Sequence, residues 1–278
     1  MECVLENIAV HYEVFGEGEP MIILPGWGLN TRLTVHETEP YFQQRDRWKR
    51  IYIDPPGHGK TPGKDWITNQ DKILEVIIAC IDALTAGERY SLIGTSLGAY
   101  LARGVIFNRA ELVDGIAMIV PAIIAQDEKR TAPPYKVLVE DPAVKADIAP
   151  TETDLYEMAV VHSRKWLEYQ RTFPEVPEHE MGDFTFLGRI REQPENYAFS
   201  FDVDNLSEPF PGASLMITGR QDSIVGYQDA WNILEKYPRA TYVILDRAGH
   251  QLEEKAELIN VLINDWLDRV EGSKALLG

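Results

Sequence analysis

At 278 residues the chain is long enough for one large α/β domain, or for such a domain carrying a sizeable insertion. Its 45% apolar content supports a substantial core, and 44 acidic against 27 basic residues give a formal net charge of −17. That surface repels nucleic-acid phosphates and anionic lipid headgroups, so nucleic acid and membrane are both excluded as expected partners.

The first residues lack a basic region followed by an apolar core, and no run approaches the length of a membrane span. Two cysteines, Cys3 and Cys80, imply no disulfide framework, which makes a reducing cytoplasm the expected compartment. Residues 8–15 alternate loosely and end at Gly16-Glu17-Gly18, which predicts a strand and a turn. Met21-Ile22-Ile23-Leu24 is wholly apolar, as expected of a strand covered on both faces, and runs into Pro25-Gly26-Trp27-Gly28. Residues 34–48 read as helical at least in part, and 50–54 as a strand closed by Pro55-Pro56-Gly57-His58-Gly59.

Ile73, Val76, Ile77, Cys80, Ile81 and Leu84 recur at helical spacing and stop at Gly87, predicting an amphipathic helix. The run from Tyr90 to Ile93 reads as a buried strand, Ala99 onwards as a helix, and Ile116 to Val120 as another strand. This rhythm argues a parallel sheet with helices on both faces. From 122 to 211 it breaks: charge, proline and aromatics dominate, and no buried strand is evident. There Leu155, Ala159, His162, Trp166, Tyr169 and Phe173 predict one amphipathic helix, capped by Thr151 or Thr153 and ended by Pro174. Phe184, Leu187 and Ile190 suggest a weaker one. The expected organisation is a core of 1–121 and 212–278 with a helical cap, or lid, over 122–211. The sheet resumes at 213–218, a helix follows over 228–237, the last strand spans 241–245, and a closing helix covers 252–270.

Gly94-Thr95-Ser96-Leu97-Gly98 matches G-x-S-x-G between the predicted strand and helix, the context that motif requires. A serine hydroxyl is a poor nucleophile until an imidazole takes its proton, and the imidazole needs a carboxylate to fix its tautomer. Asp222 and His250 each follow a later strand, giving the chain order Ser, Asp, His. Each has a duller reading: Asp222 as a turn cap and His250 as a helix start.

With those residues in place, the chain resembles an α/β-hydrolase-fold protein with a helical cap. The matching segments are Gly94-Thr95-Ser96-Leu97-Gly98, Asp54-Pro55-Pro56-Gly57-His58-Gly59, Gly219-Arg220-Gln221-Asp222 and Ala248-Gly249-His250. The resemblance implies Ser96 as nucleophile, His250 as base, Asp222 as its partner, and an oxyanion hole from the backbone N–H groups of Leu97 and Trp27. It implies no cofactor. This chain has Pro25-Gly26 where such proteins usually carry His-Gly before the first oxyanion residue, which bears on how that loop is held.

His58 reads as structural, and His11, His36, His162 and His179 show no mutual ligand spacing, so no metal site is expected. Trp27, Tyr135 and Trp166 are the candidates for a substrate pocket. Arg164, Lys165, Arg189 and Arg191 read as solvated helix charges, with receipt of a substrate carboxylate as the alternative. The expected activity is that of a carboxylesterase acting on a small, fairly hydrophobic ester. Carbon–carbon bond hydrolysis, elimination or acyl transfer with the same residues is one alternative, and a ligand-binding protein without turnover is another. Oligomeric state is not legible in the sequence.

Overall fold

The computed structural model describes residues 1–275. Eight strands form one sheet: β1 (Glu2–Val4), β2 (Ala9–Phe15), β3 (Glu19–Leu24), β4 (Trp48–Ile53), β5 (Tyr90–Thr95), β6 (Val113–Ile119), β9 (Ala213–Gly219) and β10 (Ala240–Leu245). A two-residue pair between β6 and β9 supplies β7 (Val139–Glu140) and β8 (Val161–His162). The order in the large sheet is β1-β2-β4-β3-β5-β6-β9-β10. Strand β2 runs antiparallel to both its neighbours, β1 and β4, and every later neighbouring pair is parallel.

Parallel strands are buried on both faces, so they tolerate no polar alternation. Ile22, Leu24, Leu92, Met118 and Met216 face one apolar layer, while Met21, Ile23, Ile93, Ala117 and Ile217 face the other. The first layer is closed by α2 (Gln70–Thr85) and α3 (Leu97–Arg109), the second by α10 (Ala256–Ala275) with Trp266 at its centre. Asn69 caps α2 by accepting from Lys72 N at 3.0 Å, and Ala86 in the left-handed region ends it. The short α1 (Thr31–Thr38) lies against β4. No helix among the described residues is long and apolar enough to cross a membrane.

Several boundaries differ from the sequence reading. The stretch 34–48 holds only α1 and a 3-10 turn, Glu39–Phe42, because Pro40 has no N–H to continue an α-helix; Trp48 already belongs to β4. Helix α10 starts four residues later than expected. Within 228–237, α9 (Gln228–Asn232) gives way to a 3-10 turn, Leu234–Lys236.

The insert between β6 and β9 departs most. The single helix read through 155–173 is two: α5 (Thr153–Met158) and α6 (Arg164–Gln170), separated by β8. The β-branched pair Val160-Val161 is buried, Val161 opens β8, and Val160 O accepts from Leu138 N at 2.8 Å. Ser163, rather than either threonine, caps the second piece, accepting from Trp166 N at 3.0 Å. Both pieces, with α4 (Pro142–Asp147), pack on a small core of Val144, Ala159, Trp166 and Leu167, so a helical period survived a chain break. Helix α7 (Phe184–Arg191) buries Phe186, Leu187 and Ile190 but leaves Phe184 half-exposed, and α8 (Pro194–Tyr197) follows.

Candidate active site

Ser96 sits between β5 and α3 at φ +52° and ψ −115°, a backbone conformation that L side chains rarely adopt. Holding it there costs on the order of 1–3 kcal/mol, which the surroundings must offset. They do so by packing: a Cβ on Gly94 would lie 2.6 Å from Ala99 Cα, and one on Gly98 would overlap the Leu24 carbonyl. Glycine at both positions lets α3 start directly against β3 and β5. The Ser96 N–H donates to Ile119 O at 2.9 Å and its carbonyl accepts from Ala122 N at 3.1 Å, which locks the turn to the end of β6.

Far along the chain, the loops after β9 and β10 are tied to each other. Gln221 N donates to Ala248 O at 2.9 Å, and Ala248 N donates back to Gln221 Oε1 at 3.1 Å. Those two bonds set Asp222 against His250. Asp222 is fully buried, with Oδ1 accepting from Ile224 N (2.9 Å) and Val225 N (3.0 Å). Its Oδ2 lies 2.9 Å from His250 Nδ1, and His250 Nε2 lies 3.1 Å from Ser96 Oγ. An ionised carboxylate only accepts, so Nδ1 carries the imidazole proton and Nε2 presents its lone pair to the serine.

Facing the serine is the turn after β3. A Cβ on Gly26 would sit 3.6 Å from Ser96 Cβ, so the Gly26-Trp27 backbone passes the nucleophile position at van der Waals distance. Neither the Trp27 N–H nor the Leu97 N–H donates to any acceptor among the described residues. Leu97 opens α3, where the first N–H groups have no intrahelical partner and the helix dipole is positive. Two free donors beside a serine are what a developing oxyanion needs.

The end of the loop with Pro25, where α1 begins, is held by groups to which the sequence reading assigned no role. Asp54, fully buried, accepts from Thr31 N (2.7 Å) at the start of α1 and from Lys60 N (3.0 Å). Burial raises its carboxyl to about 7. Asn30 caps α1 through Leu33 N at 3.0 Å and donates to Glu180 O of the insert at 2.7 Å. The signal available for Asp54 was its place directly after the buried run Ile51-Tyr52-Ile53. His58 is fully buried with Nδ1 3.2 Å from Pro56 O, and burial lowers its pKa to about 4, so it is a neutral packing residue. No group of three potential metal ligands is found among the described residues.

Of the three pocket candidates, Trp27 directly follows Gly26, whose backbone passes Ser96. Its ring packs on Phe184 at 5.3 Å between centroids and lies under the Arg191 guanidinium at 4.9 Å. Tyr135 is 45% exposed on the insert, where its hydroxyl donates to Ala159 O at 2.9 Å. Trp166 lies in the insert's own core and donates to Gln251 Oε1 at 3.1 Å, backing the His250 loop and bordering only a small cleft with Val161, Arg247 and Leu252. Periodicity could not separate aromatic residues that pack inward from those that face a ligand. Phe199 and Phe201, also in the insert, line a cavity of about 290 Å³ with Tyr100 of α3.

The model of the alpha/beta hydrolase fold matches residues 19–253. The chain belongs to that family. A (E)-2-((N-methylformamido)methylene)succinate hydrolase from Acinetobacter baylyi is 30% identical over 263 residues, covering 94% of this chain and 95% of the relative. A pimeloyl-(acyl-carrier protein) methyl ester esterase from Aeromonas hydrophila is 25% identical over 255 residues, 87% of this chain and 92% of that one. Among solved structures, an alpha/beta superfamily hydrolase from Oenococcus oeni superposes with a TM-score of 0.83 at 27% identity, over 98% and 99% of the two chains. A meta-cleavage product hydrolase from Pseudomonas fluorescens shares the fold at a TM-score of 0.66 and 19% identity, over 96% and 97%.

Proposed function

We propose that this family member is a cofactor-independent serine hydrolase whose simplest substrate is a small carboxylic ester. The observation that carries the reading is the unbroken chain from Asp222 Oδ2 through His250 to Ser96 Oγ, with steps of 2.9 and 3.1 Å, beside two unengaged backbone donors. In that reading Ser96 Oγ attacks the acyl carbon as His250 Nε2 takes its proton. Negative charge moves onto the former carbonyl oxygen, between the N–H groups of Leu97 and Trp27. The imidazolium, steadied by Asp222, returns the proton to the departing alcohol and leaves an acyl-serine. Water, activated by the same histidine, then releases the acid.

Residues 122–211 act in this proposal as a lid whose α7 covers Trp27. They carry nine basic against eighteen acidic residues, so a negatively charged macromolecular partner would meet like charge there. One observation favours a second reading: the relative from Acinetobacter baylyi is, by its name, a hydrolase of an unsaturated succinate derivative. Cleavage of a bond other than a simple ester would use the same serine, histidine and aspartate.

The test is treatment with a fluorophosphonate followed by intact-mass analysis and peptide mapping. A single adduct on Ser96, absent after Ser96→Ala or His250→Ala, is the expected result. An unlabelled Ser96 in folded protein removes the mechanism. Turnover of simple esters against unsaturated dicarboxylates then separates the two readings.

A further inference from the structure

Of the four insert cations Arg164, Lys165, Arg189 and Arg191, three are solvated. Arg164 pairs with Asp147 at 2.6 Å, Arg189 with Asp65 at 3.6 Å and Lys165 with Glu257 at 3.7 Å, all on exposed surface. Arg191 is different. It ends α7, and its guanidinium stacks between two rings, 4.9 Å from that of Trp27 and 5.6 Å from that of Tyr197. Its side chain is 32% exposed, so part of it still faces open space.

Its ion pair does not use it up. Nε and Nη2 both donate to Asp127 Oδ2, at 3.3 and 2.8 Å, while Nη1 has no acceptor among the described residues. Asp127 is also claimed by Arg130, whose Nη1 lies 2.6 Å from Oδ1. Arg130 is spent on the fold, donating to the carbonyls of Ile124, Ala125 and Ile224. Two guanidiniums therefore share one carboxylate, which leaves a surplus positive charge on a chain whose net charge is −17.

A second donor lies in the same stack. The indole Nε1 of Trp27 is buried and has no hydrogen-bond partner. An unpaired buried N–H costs roughly 1–3 kcal/mol, so a native structure keeps one for a reason. The Arg191–Trp27 stack thus offers unpaired donors and excess positive charge, on the residue directly after Gly26, whose backbone passes Ser96.

We propose that Arg191 receives a carboxylate of the substrate, with Trp27 as the platform that holds the guanidinium over the oxyanion turn. The preferred substrates are then mono-anionic esters in which a short chain separates the carboxylate from the carbon that Ser96 attacks. Asp127 aligns the fork from behind, and Arg191 is a binding residue that takes no part in proton transfer. This assignment rests on the hydrolase reading of the same site.

Two measurements separate it from that reading. Hydrolysis of monomethyl glutarate against methyl pentanoate, and of 4-acetoxybenzoate against phenyl acetate, places the carboxylate on the acid or the alcohol half. In either pair the wild type should favour the anion, and Arg191→Gln should cut that preference about ten- to a hundred-fold, the range expected for a charged hydrogen bond. The loss should fall mainly on KM. Arg191→Lys, which keeps the charge without the fork, should recover part of it. Binding of glutarate against neutral pentanamide, followed by tryptophan fluorescence, needs no turnover. Weaker glutarate binding in Arg191→Gln sustains the subsite even if no ester is cleaved. Equal preference for neutral and anionic partners in the wild type, or a preference that Arg191→Gln leaves intact, overturns it.

Discussion

Replacing Asp222 by Asn tests the hydrogen-bond chain atom by atom. The acceptor Oδ1 is fixed by two backbone donors, Ile224 N and Val225 N, so the Asn carbonyl must take its place. The Asn NH₂ then points at His250 Nδ1 across the 2.9 Å now spanned by a carboxylate contact. Two donors cannot share that bond, so the imidazole moves its proton to Nε2 and aims it at Ser96 Oγ. A base that already carries a proton cannot accept one. The expected loss is about 10⁴ in kcat, or about 5 kcal/mol of transition-state stabilisation. Stability should change little, because both backbone donors keep their acceptor. The assay is kcat with a chromogenic ester and the rate of fluorophosphonate labelling, alongside the thermal midpoint. A variant within tenfold of wild type, with an unchanged midpoint, would refute the claim that Asp222 acts by fixing the tautomer.

Two further predictions concern the scaffold. Asp54 is raised to about 7 from an ordinary value of 3.8, so the folded state holds its proton more tightly than the unfolded one. Its contribution to stability is complete below about pH 4 and is lost as pH rises through about 7; the gap between the two values is worth at most about 4 kcal/mol. Urea midpoints of wild type minus Asp54→Asn should fall across that window and level off above it, and parallel curves would count against the assignment. Arg103 is fully buried, pairs with Asp204 and donates to the carbonyls of Ala122 at 3.4 Å and Ile123 at 2.9 Å. Arg103→Ala should destabilise by about 3–5 kcal/mol, since it leaves a half-buried carboxylate and buried carbonyls without a partner. Denaturant titration reads this directly, and a change below about 1 kcal/mol would show the pair to be dispensable.

Proximity in the fold decided what the sequence left open. The run Met21-Ile22-Ile23-Leu24 announced a doubly covered strand because a parallel sheet admits no polar face, and Gly94-Thr95-Ser96-Leu97-Gly98 announced a tight turn because only glycine fits beside Ala99 and Leu24. Ser96, Asp222 and His250 could be nominated from their places after strands, since strand ends of a parallel sheet open on one edge. Their convergence depends on the Gln221–Ala248 bonds between two loops, which no local pattern encodes. The insert was misread for the same reason. A helical period survives a break when both pieces bury residues in one small core, as at Ala159 and Trp166. Whether an aromatic or a cation serves a core, a surface or a ligand is likewise a matter of neighbours. Trp166 went to the core, Arg164 to the surface, and Arg191 to the ring of Trp27, because packing brings together residues that the chain keeps far apart.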